Sequence, residues 1–577
     1  MATGSDVKEL AALRIPLRDG VELVADAFVG DGAPPGPAII ELTPYGRGRD
    51  CINFSGEASY WVGHGYVPVT VDCRGTGDSG GRFAFFVGDA EDGFDVITWV
   101  SRQPWCDGRV ALRGASYSGT NAWLVARLQP PALRALVANA TAWGVDDVVY
   151  DGGIFHQTWA LTWPSVLKGS PLPHPPAIDW PALRGHRPLR TLDQAALGRP
   201  SALFREFLDH PPSDAAYWRP FHFSAADYAR IGVPVLAFSG WFDGTLRGTL
   251  AHDRGLRAAA AEPANVHLIV GPWDHVGCSD GGIDFRSARP LDRVGSATLP
   301  PQAFRSGLAI TRAFLDAHLK GQGRFEQPPV QVYLTGSHRW LDAQRFPPPT
   351  VQQRPLFLRS AGRATGLQGD GRLAWQAPHD EPPDQCVHDP CRPVPGSLAD
   401  LPGAAPGTVS AMADHAALID RPDVLVYQSD PLPQALTVLG TVRLALHVRA
   451  DVPDADFFCR LEDVAPDGRA QRLGSRDSGQ LQARWREGFE CEVMLQPGVP
   501  AQLLLNLDAI GHAFGPGHCL RLSIACSAWP RCAPNPGTGA PVADDVMRPR
   551  VAHLQVLHEA GAASCLLLPC LPEPPGD

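Results

Sequence analysis

Three polar side chains stand where together they could turn a hydroxyl into a nucleophile: Ser116, Asp243 and His275. A serine hydroxyl attacks poorly until a base within hydrogen-bond reach takes its proton, and neutral imidazole suits that role near neutral pH. A buried carboxylate must then hold the ring in one tautomer and balance the imidazolium that forms. Ser116 lies in Gly114-Ala115-Ser116-Tyr117-Ser118-Gly119, Asp243 in Ser239-Gly240-Trp241-Phe242-Asp243-Gly244, and His275 closes Gly271-Pro272-Trp273-Asp274-His275. Asp274 is the rival acid, but it adjoins His275 in sequence and its side chain is expected to point elsewhere. Replacing Asp243 by Asn is expected to favour the wrong tautomer of the histidine.

The surrounding sequence supplies elements that would position these residues. Ala38–Leu42, Val67–Val71 and Val110–Leu112 are short apolar runs of strand character, and Ala90–Arg102 carries Phe94, Ile97 and Val100 near helical spacing. Such alternation indicates a parallel sheet. Ser116 follows one strand and precedes a helical pattern through Trp123 and Leu128, the context of a nucleophile elbow. That turn needs small neighbours, which Gly114, Ala115, Ser118 and Gly119 provide, although the second glycine falls one place later than in G-x-S-x-G. Val235–Phe238 and Val266–Val270 are further strands, so Asp243 and His275 fall just past strand C-termini, where open α/β sheets keep their sites. The order serine, acid, histidine is that of α/β hydrolases. His267 lies within a strand pattern and His252 and His318 within helices, so these three are expected to be structural.

A chain of 577 residues exceeds one core, and two to four domains are expected. Its 19% charged residues and net charge of −11, with no basic block, argue against nucleic-acid and anionic-membrane partners. No run of about 18 apolar residues and no signal-peptide pattern is found. The 13 cysteines are scattered without a C-x-x-C pair, the nearest neighbours being Cys386 with Cys391 and Cys565 with Cys570. Free thiols in a reducing cytoplasm are therefore expected, and neither a metal site nor a cofactor. Residues 1–143 read as the first part of an α/β core. Residues 144–231, with tryptophans among Pro-rich and helical pieces and no clear strand, read as an inserted helical cap. Residues 232–329 resume the core, and residues 330–577, with Val330–Leu334, Thr441–Val448, Gln502–Leu507 and Leu520–Ala525 strand-like, read as an all-β domain. Within it, Ser360 to Pro406 is expected to be a surface connection.

These motifs together resemble the serine hydrolase family that contains cocaine esterases, X-prolyl dipeptidyl peptidases and α-amino acid ester hydrolases, the CocE/NonD type. Further matching segments are Thr43-Pro44-Tyr45-Gly46, the run Asp72 to Gly80, Gln103 to Gly108, and Trp529-Pro530-Arg531 with Asn535-Pro536. The resemblance implies an α/β-hydrolase core, a helical cap and a C-terminal jelly roll of the galactose-binding-like kind. It implies that the Tyr45 phenol and the Tyr117 backbone N–H form an oxyanion hole, with Asp72 and Arg74 holding the adjacent loop. Tyr150, Trp159, Trp163, Thr245 and Leu246 are candidates to line the substrate pocket. Where amino-ester enzymes carry acids two and three places after the triad aspartate, this chain has Thr245 and Leu246, and the cap acids Asp146, Asp147 and Asp151 read as solvated helix-end residues. The expected activity is ester cleavage through an acyl-enzyme on a small-molecule substrate. Amide hydrolysis by an X-prolyl peptidase or acylase, and acyl transfer or cyclisation, are alternatives; an inactive fold serving as a binding module is one of another class. A homodimer is compatible with this reading.

Overall fold

A computed structural model of the chain describes residues 7–47, 57–172, 177–259, 265–275, 277–279, 283–284, 289–290, 293–294, 297–298, 300–396, 419–475 and 478–572. Its first layer is a ten-stranded sheet made of β1 (Val7–Pro16), β2 (Glu22–Gly30), β3 (Gly36–Thr43), β4 (Val67–Asp72), β5 (Cys106–Ala115), β6 (Leu133–Asn139), β7 (Val235–Phe242), β8 (Val266–Asp274), β9 (Val330–Leu334) and β10 (Arg339–Ala343). The strands lie in the order β1-β2-β4-β3-β5-β6-β7-β8-β9-β10. From β4 through β9 every neighbouring pair is parallel. Helices cover both faces of such a sheet, so its strands read as continuous apolar runs and not as alternation. The antiparallel strands β1 and β2 at the edge were not foreseen from the sequence. β1 is largely exposed and interleaves Lys8, Glu9 and Arg14 with apolar residues, a pattern that also suits a loop.

Helices α1 (Asp89–Val100) and α2 (Tyr117–Ala126) follow β4 and β5, α3 (Leu246–Ala259) follows β7, and α4 (Gly307–Leu319) lies between β8 and β9. Between β6 and β7 the chain leaves the sheet. This excursion is a set of short helices, among them Gln157–Thr162, Ala202–Asp209 and Ala225–Arg230, with a two-residue hairpin, Tyr150–Asp151 against Ile154–Phe155, that the sequence did not announce. Its apolar residues, including Trp159, Phe204 and Trp218, belong to the same buried cluster as the core's Leu112 and Leu124. The excursion is therefore seated on the α/β layer and has no separate core of its own.

Apart from two short pairs, Ile283–Asp284 with Arg289–Pro290 and Arg293–Val294 with Ala297–Thr298, the remaining strands form a second, thirteen-stranded, mostly antiparallel sheet around its own apolar cluster. Two sequence expectations change here. Val330–Leu334, expected to open this domain, is β9 of the first sheet: Leu268, Ile269 and Val270 of β8 pair in parallel with Val330, Gln331 and Val332. All five β9 residues are buried, Gln331 among them, which explains its strand-like look. The stretch from Ser360 to Pro406, expected to be a surface connection, contains the strands Arg372–Ala374 and Asp380–His388, and residues 397–418 lie outside the described set. The β domain touches both other parts. Thr335 N–H donates to Gly511 C=O at 2.9 Å, and the Gln157 amide and Thr158 hydroxyl of the excursion donate to Pro530 C=O at 2.7 and 2.6 Å.

Candidate active site

Because β3, β5, β7 and β8 run parallel, their C-terminal ends fall on one edge of the sheet. Tyr45, Ser116, Asp243 and His275 each follow one of these ends. Ser116 sits at φ 59°, ψ −123°, a backbone conformation costly for a residue with a Cβ. The turn holds it there: Ser116 N–H donates to Asn139 C=O at 3.0 Å, and Thr120 N–H bonds back to Ser116 C=O at 2.9 Å. The glycines are required sterically. A Cβ on Gly114 would lie 2.5 Å from Ser118 C, and one on Gly119 would lie 2.8 Å from Asn139 O. The backbone clash is thus relieved at position 119, one place later than the strict motif.

Ser116 Oγ lies 3.0 Å from His275 Nε2, and His275 Nδ1 lies 2.7 Å from Asp243 Oδ1. Asp243 is 1% exposed. Its Oδ1 also accepts from Thr245 N–H at 2.9 Å and the Thr245 hydroxyl at 3.0 Å, while Oδ2 accepts from the Ser239 hydroxyl at 2.7 Å. The Cys278 thiol stands 3.8 Å from Oδ2. Burial alone would push this carboxyl up, but the charge and hydrogen bond of His275, the Thr245 N–H and the Ser239 hydroxyl outweigh it and hold it below the ordinary carboxylate range. The group is therefore an anion at neutral pH, the state needed to stabilise an imidazolium. Asp274 serves the backbone instead. Its Oδ1 accepts from Gly277 N–H at 2.9 Å and so closes the turn after His275.

Tyr117 is the first residue of α2, where a backbone N–H has no intrahelical acceptor and the helix dipole favours negative charge. Its ring is fixed from several sides. It stacks on Phe86 at 4.1 Å between centroids, its hydroxyl donates to Asp89 at 2.6 Å, and Phe86 N–H donates to its oxygen at 3.1 Å. Burial raises the Asp89 carboxyl to about 7. Tyr45 is partly buried beside Trp163, whose indole N–H reaches its oxygen at 3.4 Å. The loop carrying Tyr45 is held by Arg47, which pairs with Asp72, with Asp26 at 3.1 Å and with Asp78 at 2.7 Å. Arg74 instead pairs with Asp92 and with Asp19 at 2.8 Å, bracing the loop against α1.

The residues expected to line a substrate pocket divide. Trp159 and Trp163 stack on each other at 5.2 Å, and Trp163 touches Tyr45, so these two stand at the site. Tyr150 does not: it is buried within the excursion and its hydroxyl donates to Phe207 C=O at 2.8 Å. Thr245 turns to the carboxylate of Asp243, because the first turn after β7 brings its N–H and hydroxyl back onto that group. Leu246 is buried in an apolar cluster with Trp241, Phe242 and Val270. Asp147 and Asp151, expected to be solvated, are both buried. Asp147 accepts from Trp143 N–H at 2.6 Å and Asp151 from Arg247 at 2.8 Å. Ser239 and Cys278 were missed in the sequence: one lies inside a strand motif and the other in a turn, and neither carries a signal of its partner.

Among the described residues no cluster of three or more His, Cys, Asp or Glu side chains is arranged to hold a metal ion, and no helix is long and apolar enough to cross a membrane. The described cysteines are free thiols, and the buried pair is Cys386 with Cys526, 3.9 Å between sulfurs.

Comparisons with known proteins bear on the whole chain. The family model of the X-Pro dipeptidyl-peptidases (S15 family) matches residues 19–277, and that of the X-Pro dipeptidyl-peptidase C-terminal non-catalytic domain matches residues 324–562. A cocaine esterase of Rhodococcus sp. is 28% identical over 572 residues, covering 94% of this chain and 95% of that protein. Two solved structures share the fold. An aminopeptidase from a marine sediment Thaumarchaeota archaeon superposes with a TM-score of 0.84 at 24% identity, covering 98% of this chain and 97% of that one. An α-amino acid ester hydrolase gives 0.83 at 22%, covering 99% and 97%.

Proposed function

We propose that this chain, whose residues 19–277 and 324–562 match the S15-family models, is a CocE/NonD-type serine hydrolase that cleaves carboxylic esters through an acyl-enzyme on Ser116. The observation that carries the proposal is the unbroken hydrogen-bonded series from Ser116 Oγ through His275 to Asp243, set at the N-terminus of α2. In this reading His275 Nε2 takes the proton of Ser116 as its oxygen attacks the carbonyl. Asp243 holds Nδ1–H and balances the imidazolium, and the Tyr45 hydroxyl and Tyr117 N–H receive the oxyanion. The imidazolium then returns its proton to the leaving alcohol, and water enters by the same route in reverse.

Ester cleavage is favoured over removal of an N-terminal dipeptide because the buried cap carboxylates Asp147 and Asp151 already accept from groups of the protein. A free α-ammonium brought into the cleft would need a carboxylate partner, since an unpaired buried charge costs several kcal/mol. Amide hydrolysis is the second reading, favoured by the S15 family match. We also read the sheet domain as a jelly roll of the galactose-binding-like kind. The divisions proposed are a core of 1–143 and 232–343, a cap of 144–231 and a β domain beyond. A cytoplasmic location is proposed from the free thiols. The test of function is labelling with a fluorophosphonate followed by peptide mapping, then a panel of matched esters and amides. Label on Ser116 with esters turned over faster supports the proposal, and amides turned over faster favour the second reading.

A further inference from the structure

The backbone N–H of Tyr117 belongs to a peptide whose two ends are held by different parts of the fold. That peptide joins Ser116 C=O to Tyr117 N–H, and in a planar trans peptide the two groups point in opposite directions. Its carbonyl end is fixed by α2, where Ser116 C=O accepts from Thr120 N–H at 2.9 Å and from the Thr120 hydroxyl at 3.1 Å. Its other end carries the Tyr117 ring, which is anchored outside α2. Tyr117 is 3% exposed, and its hydroxyl donates to Asp89 Oδ2 at 2.6 Å and accepts from Phe86 N–H at 3.1 Å. Asp89 is the buried first residue of α1. Phe86 lies in the loop before it at φ 57°, a left-handed conformation costly for a residue with a Cβ. The ring stacks on Phe86 at 4.1 Å and on Trp163 at 5.8 Å, and the Trp163 indole N–H reaches the Tyr45 oxygen at 3.4 Å.

Both oxyanion donors of the hydrolase reading therefore bear on one aromatic ring, and one buried carboxyl holds the polar end of that ring. An enclosed phenol hydroxyl needs an acceptor, because a buried donor without one loses its hydration and gains nothing in exchange. Deprived of Asp89, the hydroxyl must turn toward another acceptor, and the ring, its Cα and the Ser116–Tyr117 peptide turn with it. We propose that Asp89 is a positioning residue for the oxyanion hole, acting through the Tyr117 hydroxyl to keep the Tyr117 N–H aimed at the oxyanion. The proposal rests on the hydrolase reading above and extends it to a second helix, since among the described residues the Asp89 side chain bonds to Tyr117 and not to the triad. What the contact requires is an acceptor oxygen, which an asparagine amide supplies as well as a carboxyl does.

The test compares Asp89→Leu, similar in branching but without an acceptor, with Asp89→Asn, which keeps one. Rates on a nitrophenyl ester are divided by the active sites titrated with a fluorophosphonate, so that misfolded protein is not counted. Asp89→Leu should lower kcat about tenfold, because a displaced donor weakens the state in which charge has developed. KM should stay within about twofold for the same reason. Affinity for phenylboronic acid, whose adduct with Ser116 is tetrahedral and anionic, should fall in parallel with kcat, while inhibition by benzyl alcohol is unchanged. Asp89→Asn should bring kcat back to within about threefold of the wild type, since the hydrogen bond is retained. A purely structural role would lower Tm and the number of titrated sites and leave kcat per site as it was. That result overturns the proposal, as does an equal loss of boronate and benzyl alcohol affinity, or an Asn variant as slow as the Leu variant. If Asp89→Leu does not fold, Tyr117→Phe is read from the other side of the same contact: a lower kcat at constant KM supports the proposal, and an unchanged kcat overturns it. Failure of the hydrolase reading shows separately, in the wild type, as the absence of fluorophosphonate label on Ser116, and the proposal falls with it.

Discussion

Replacing Asp243 by asparagine separates the two roles of the acid. The polar neighbours of the carboxylate are placed as donors: His275 Nδ1, Thr245 N–H and the Thr245 hydroxyl at Oδ1, and the Ser239 hydroxyl and Cys278 thiol at Oδ2. The Thr245 backbone N–H cannot become an acceptor, whereas the Ser239 hydroxyl can rotate to accept. An asparagine must therefore turn its oxygen to the Oδ1 position and its NH2 toward Ser239. That orientation leaves an acceptor opposite His275 Nδ1 and keeps the productive tautomer, contrary to the expectation from sequence alone. What is lost is charge. A carboxylate and an imidazolium with centres about 4 Å apart interact by about 4 kcal/mol at an effective dielectric near 20. The expected fall in kcat is about 10³-fold. Asp243→Ala loses the acceptor as well, and one hydrogen bond of about 1 kcal/mol makes it slower again by about fivefold. The assay is initial rates with a nitrophenyl ester, with folded protein verified by near-UV circular dichroism. An Asn variant no faster than the Ala variant would mean that the ring is misdirected in both and would refute this reasoning.

Further outcomes follow from the same geometry. Tyr45→Phe removes one oxyanion donor without changing the ring that packs on Trp163, so kcat should fall about 10²–10³-fold with little change in KM, measured by steady-state kinetics. In the β domain, burial raises Asp384, but hydrogen bonds from His558, Ser360, Ala364 N–H and Tyr427 outweigh it and leave its carboxyl below the ordinary range. Its contribution to stability is thus complete above the unfolded value of about 3.9 and is lost as pH falls through the folded value. Asp384→Asn should lower Tm at neutral pH and flatten the decline in stability below about pH 4, as read from thermal melts across pH. Ending the chain at Pro329 removes β9, β10, the Pro530 carbonyl that Gln157 and Thr158 bond to, and the Asp508 partner of Arg247, so the fragment should be insoluble or inactive. Full activity in a soluble fragment would contradict the packing described.

The sequence carried the positions that chemistry constrains most tightly. Ser116, Asp243 and His275 stand after apolar runs that only a sheet interior explains, and glycines mark the elbow because backbone atoms crowd any Cβ there. Substrate-facing assignments fared less well. Thr245 and Leu246 were read by their offset from the acid, but a helix begins at that point and turns one onto Asp243 and the other into the core. Asp147 and Asp151 look solvated in a linear reading because Arg247 and the β domain, which meet them, are distant in sequence. β9 falls in the other sheet for a related reason: a pentapeptide with Val330, Val332, Tyr333 and Leu334 states that it is buried, not against which neighbour. Arg247 is held by Asp151 and Asp508, contributed by other segments, and no local pattern announces such pairs.

The central claim is that an ester passes its acyl group to Ser116. Mixing excess nitrophenyl ester with the enzyme, quenching in acid and mapping peptides by mass spectrometry tests it directly. The account predicts a burst of about one equivalent of nitrophenolate where deacylation is the slower step. It also predicts an acyl mass increment confined to Ser116 at early times, and neither signal in Ser116→Ala. Turnover by folded Ser116→Ala, or an acyl group found on another residue of the working enzyme, would contradict it.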